Sequence, residues 1–153
     1  MDEVSRLRIR RMAERWDRRR AELGVAAASL EAERAEAFVR ELARVREAVL
    51  RPVLDAVAEE LRRAGHDLRV EAGDDPPRLD VFVLVRGRSG SKDQIQLEIR
   101  DDRVRGRELV AELVLKRSPV ELARWAWPGE ITPEVAERLF VDALEALFAS
   151  PPT

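Results

Sequence analysis

Residues 1–65 are dominated by Arg, Glu, Ala and Leu, and before Gly65 only Gly24 and Pro52 interrupt this run of helix formers. These side chains lose little freedom in a helix, so the stretch predicts helix along nearly its whole length. About 60 residues rising about 1.5 Å each would make a rod of roughly 90 Å. No single small domain covers a rod of that length.

Steps of three and four place Ile9, Met12, Trp16, Arg19, Leu23, Ala26, Leu30, Glu33 and Ala37 on one helical face, a heptad-like seam. The seam then moves over by one residue to Phe38, Leu42, Val45 and Val49. It moves again, around Pro52, to Leu50, Leu54, Val57 and Leu61. A strict coiled coil does not drift in this way, whereas a helix that pairs with a partner and then docks on a globular domain does. Such a seam must fold back on itself or be covered by another chain. Gly24, followed by Ala26, Ala27, Ala28 and the candidate N-cap Ser29, is where a fold-back would come. A continuous helix is compatible with the same residues, because one glycine costs only about 1 kcal/mol. Self-association is the expectation, as a dimer in the first instance, with Ile9, Met12, Trp16, Leu23, Leu30, Phe38, Leu42, Val45 and Val49 as its seam.

Charge divides the chain. The first twenty residues carry eight arginines against four carboxylates, a net +4 that leaves −6 for the rest of a chain of net charge −2. Arg6, Arg8, Arg10, Arg11, Arg15, Arg18, Arg19 and Arg20 form a candidate site for an anion or an acidic partner, with Trp16 available for stacking. Against this, Glu14 lies four residues before Arg18, and intrahelical pairing would offset part of the charge.

The sequence contains no cysteine, which excludes disulfides, thiol catalysis and the common zinc fingers. No run reaches the length of a membrane span, and a cytoplasmic location is expected. Charged residues make up 38% of the chain and hydrophobic ones 45%, which suits a long solvated helix joined to a real core.

Arg62 and Arg63 followed by Gly65 are expected to end the helix, since a cation complements the last carbonyls and glycine permits a left-handed C′ residue. His66, the only histidine, has no partners for a metal site and reads as a capping or exposed residue. Beyond it the period falls to two. Leu68, Val70 and Ala72 alternate in a first strand. Leu79, Val81, Val83 and Val85 share one face of a second strand, with Phe82 and Leu84 on the other, so this strand is expected at the centre of the sheet. After a connection over residues 87–91, Ile95, Leu97 and Ile99 alternate with Gln94, Gln96, Glu98 and Arg100. Residues 109–116 make a fourth strand, and the short connections imply an antiparallel meander.

Ser118, Pro119 and Glu121 match a capping box with Pro at the first helical position, and predict a short helix that ends near Trp125, Trp127 and Pro128. Thr132 and Pro133 open another, whose apolar stripe should cover one sheet face until Pro151 and Pro152. The fold class is therefore α+β. A long helical segment (1–65) precedes a small α+β domain (66–153) of four strands and two helices. This order is similar in outline to the small dimeric nucleoid-associated proteins; one strand more and a longer first helix set it apart, and no residue carries over.

Chemistry has few candidates. With no Cys, no Tyr and one His, the usable groups are carboxylates, Ser, Thr, Lys92 and Lys116. Asp80 on one strand and Glu98-Ile99-Arg100 on the next resemble the metal-binding motif of the restriction-endonuclease-like nucleases, which would imply divalent-metal DNA cleavage. Arg stands where that motif has Lys and the following helix is missing. Alternating charge on a wet strand face is also what solvation alone produces. No catalytic, cofactor-binding or metal-ligating residue is assigned. Trp125 and Trp127 are a candidate partner anchor, with a core plug as the plainer reading. The resulting expectation is a non-enzymatic scaffold or adaptor that pairs through its first helix and presents the α+β domain to a protein. Nucleic-acid association through the arginines is the second reading, and a metal-dependent nuclease a distant third.

Overall fold

A computed structural model of the chain describes residues 1–75, 77–85, 93–102, 106–115 and 117–149, with backbone alone at 101 and 102. The connection expected over 87–91, Lys92, Lys116 and the terminating Pro151 and Pro152 lie outside the described residues.

Helix α1 (Glu3–Val45) opens on Asp2, whose carboxylate accepts the Ser5 amide at 2.7 Å. It continues through Gly24, so the fold-back is not made there; the alanines that follow favour propagation over a turn. A π-helical turn (Arg46–Leu50) joins it to α2 (Arg51–Arg63). Proline at position 52 has no amide to donate, and its ring would crowd the carbonyl four residues back. The wider turn relieves that conflict. The Arg51 amide bonds to the Arg46 carbonyl five residues before it. One extra residue in the turn also explains the second shift of the seam, the one around Pro52: Val45 and Leu50, both fully buried, are five apart, and Leu54 and Ala58 then follow at four-residue steps.

Helix α2 ends as the sequence predicts. Gly65 has φ 88°, its amide reaches the Arg62 carbonyl, and the His66 amide reaches the Leu61 carbonyl at 2.9 Å. This pair of bonds is the Schellman arrangement, which satisfies two of the helix's last carbonyls.

Five strands follow, β1 (Asp67–Asp74), β2 (Pro77–Leu84), β3 (Gln94–Asp102), β4 (Gly106–Leu115) and β5 (Ser118–Trp125), all antiparallel and in sequence order. The expected four-strand sheet is thus one strand short, and the expected helix at Ser118 is the strand β5. Leu115 pairs with Ser118, and just before β5 Arg117 takes φ 67°. Pro119 is tolerated because β5 is an edge strand. Partners on β4 outweigh the local capping signal. The central strand is β3 rather than β2. On β2, Phe82 faces away from the core, and the Arg69 guanidinium lies 4.6 Å from its ring centroid.

A single helix, α3 (Pro133–Ala149), closes the fold; the Val135 amide bonds to the Thr132 hydroxyl that caps it. The core joins Phe38, Leu42 and Val45 of α1, Leu50 of the π turn, Leu54 of α2, and Leu139, Phe140 and Leu147 of α3 to Leu79, Val81, Val83, Ile95, Leu97 and Leu109 of the sheet. Arg46, in the π turn, is buried. Its guanidinium donates to the Gly73 carbonyl at 3.0 Å and to Asp74 Oδ1 at 2.9 Å, tying the turn to the β1–β2 hairpin.

The chain divides into two compact units, Met1–Ala37 and Phe38–Thr153. The division falls within α1, ahead of the boundary at 65 read from the sequence, because α1 already enters the core at Phe38.

Candidate functional site

In the first unit the seam residues lie on the protein surface. Ile9 is 49% exposed, Met12 54%, Trp16 61%, Leu23 66% and Leu30 48%. The seam read from the sequence therefore divides. Phe38, Leu42 and Val45 are buried within the chain's own core and Val49 packs against it, which leaves the first five uncovered in the chain.

Arginines flank the N-terminal half of the exposed stripe, around Ile9, Met12 and Trp16. Arg20 stacks over Trp16, 5.5 Å from the ring centroid. Arg15 Nε donates to the Arg11 carbonyl. Among the described residues, Arg6, Arg8, Arg10, Arg11, Arg15, Arg18, Arg19 and Arg20 make no ion pair, so the expected Glu14 to Arg18 offset is not formed.

In the second unit α2 and α3 enclose a groove of about 700 Å³. Its floor is apolar: Val53, Val57 and Leu61 of α2 face Val141, Leu144 and Phe148 of α3. Its rim holds Glu60, Glu134, Glu137 and Glu145, and no basic residue lines it among the described residues. Val141 and Phe148 are each 42% exposed, an uncommon level for large apolar groups set side by side. The His66 ring meets Phe148 at a tilt of 51°, with centroids 5.1 Å apart. The groove was missed at the sequence level, because the stripe of α3 is broader than the sheet needs, and only packing reveals which part stays uncovered.

The face of the sheet turned away from the helices is charged. Glu108 and Glu112 are buried on β4, where Arg124 pairs with Glu108 and Arg100 with Glu112. Together they cover Val110, which makes β4 buried on both faces. Asp80 has its carboxyl held above its usual range by burial, with Glu71 and Glu98 adding repulsion and Arg78 opposing. Asp80 sits opposite Gln96, with Glu98 and Arg100 further along β3 on the same face. Strand β4, not a helix, follows β3, and Arg100 is already engaged with Glu98 and Glu112. Among the described residues, no three carboxylates or histidines converge as a metal site would require.

The tryptophans part company. Trp125 packs against the core. Trp127, 40% exposed, meets Phe38 edge to face with centroids 5.9 Å apart. Among the described residues no helix is long and apolar enough to cross a membrane.

No family model matches the chain, and no curated protein or solved structure is found to match it.

Proposed function

We propose that the chain is a non-enzymatic interaction protein that self-associates through its N-terminal helix and offers its α+β unit to a protein partner. One observation carries the reading: Ile9, Met12, Trp16, Leu23 and Leu30, on one helical stripe, are each about half exposed or more. Covering a large apolar side chain is worth roughly 1.5 to 3 kcal/mol, enough for five of them to drive association. The partner surface on the second unit is the groove between α2 and α3. Its apolar floor and glutamate rim suit an amphipathic helix with basic flanks.

The test is the molar mass in solution by light scattering, at low and high salt, against 17.4 kDa. A dimer that persists in high salt is expected, because apolar burial is not screened. Met12→Glu with Trp16→Glu should convert it to monomer. A wild-type monomer at working concentration would refute the proposal.

Nucleic-acid association is the second reading, supported by the net charge of +4 over residues 1–20 and by arginines at 6–20 that make no ion pair among the described residues. It requires affinity for duplex DNA or RNA that falls steeply with salt, as phosphate contacts release counterions. Binding that is absent or insensitive to salt removes it.

A further inference from the structure

We propose that the N-terminal helices of two copies pair antiparallel, about a two-fold axis near Ala21. The inference rests on the self-association just proposed and adds its orientation and register. Three features of residues 3–37 lead to it.

The first is charge. Residues 1–20 carry net +4, whereas residues 21–37 hold Glu22, Glu31, Glu33 and Glu36 against Arg34, a net −3. Parallel pairing would set the basic half on the basic half. Antiparallel pairing sets it against the acidic half of the other copy.

The second is size. The bulky seam residues Ile9, Met12 and Trp16 occupy one half, and the small residues Gly24, Ala26, Ala27 and Ala28 fall in the other. Reversing the seam on itself about Ala21 sets Trp16 against Ala26 and Met12 against Leu30 of the second copy. Large side chains then enter the space that small ones leave, which is how paired helices interlock. Parallel pairing would stack Trp16 on Trp16 and leave the alanines against one another.

The third is closure. A two-fold pair is isologous, so the patch each copy offers along the seam is the patch it covers on the other, and the seam contact closes on itself. In this register Met12 and Leu30, 54% and 48% exposed, cover one another at both ends of the pair.

The absence of cysteine in the sequence makes the test direct. Spin labels are placed on single cysteines at Arg11, Ala21 and Glu31 in the full chain, positions that lie off the seam, and the distance between copies is measured by pulsed electron resonance. In the antiparallel pair the distance is shortest at residue 21. It reaches about 30 Å at both 11 and 31, each ten residues from the axis at about 1.5 Å per residue. Three short and equal distances would show parallel pairing and overturn the orientation while leaving self-association intact. A dimer whose distances follow neither pattern puts the stripe on another surface and overturns it too. No dipolar signal, together with a monomeric mass, overturns both readings. Circular dichroism of each labelled variant at wild-type helicity excludes loss of the helix as the cause.

Discussion

The two stretches of α1 carry the same kind of stripe to opposite ends. Phe38, Leu42 and Val45 are at most 3% exposed, while Ile9, Met12, Trp16, Leu23 and Leu30 are at least 48% exposed. Side-chain chemistry does not distinguish them, since both sets are large and apolar. Supply of a facing surface does. The sheet and α3 receive the second stretch, whereas the first is held by its backbone bonds, good helix propensity, the Asp2 cap and contacts along the helix such as Arg20 over Trp16. A helix of such residues is stable as a helix without being satisfied as a surface.

The largest expected effect tests that asymmetry. Leu50, fully buried at the π turn, should cost about 2 to 5 kcal/mol as Leu50→Ala, through lost transfer energy and the cavity left behind. Trp16→Ala should leave the unfolding of the second unit unchanged within about 0.5 kcal/mol, because a surface group away from any cap or core costs little. Urea unfolding followed by the near-ultraviolet signal of Trp125 and Trp127 measures both. If Trp16→Ala weakened the second unit as much as Leu50→Ala, the contrast between the two stretches would fail.

A smaller effect is expected at Gly24. A Cβ built there meets nothing within 4 Å, and the residue lies inside α1. Gly24→Ala should therefore stabilise the helix by about 1 kcal/mol, slowing amide exchange across residues 3–37 by a factor of about five. Exchange in the sheet should not change. A decrease in helicity would mean that Gly24 serves a bend the helix needs.

How much of this was legible in the sequence depended on whether a signal was local. The Schellman end at Gly65, the Thr132 cap and the alternation of β1 to β3 are each set within a few residues, and each was readable. The drift of the seam was also visible, as a one-residue slip near Pro52; its cause, a π turn, needed the backbone. Strand β5 was misread because Ser118, Pro119 and Glu121 carry a helix-start pattern, and only the partner strand β4 overrides it. The buried faces of Glu108 and Glu112 were hidden for a similar reason. Two carboxylates on a strand give no local sign of burial, and nothing within residues 108–112 says that Arg100 and Arg124 will pair with them from the neighbouring strands. The candidate surfaces divide the same way, since the arginine-flanked stripe is periodic in sequence whereas the α2–α3 groove joins residues about 80 positions apart.

The finest comparison sets one carboxylate from each unit side by side. Asp2 has its carboxyl held below the ordinary 3.8 by the Ser5 amide it caps, and Asp80 has its own held above 3.8 by burial. The signs of their pH effects are therefore opposite. Asp2 contributes helix stability above pH 3.8 and loses it as pH falls through its lower folded value. Asp80 is ionised at neutral pH at a cost to the folded state, and this cost is absent below pH 3.8, where the group is protonated folded and unfolded. Asp80→Asn should accordingly raise the melting temperature of the second unit at pH 7, with the gain shrinking as pH falls through the raised folded value and gone below 3.8. Asp2→Ala should lower helicity of the first unit at pH 7, with the loss shrinking as pH falls below 3.8 through the lowered folded value. Thermal melts of the two variants beside wild type between pH 2 and pH 7 read both. If Asp80→Asn instead lowered the melting temperature at pH 7, the Arg78 partner 3.6 Å away would outweigh burial, and Asp80 would belong with the satisfied charges of the sheet rather than with its strained ones.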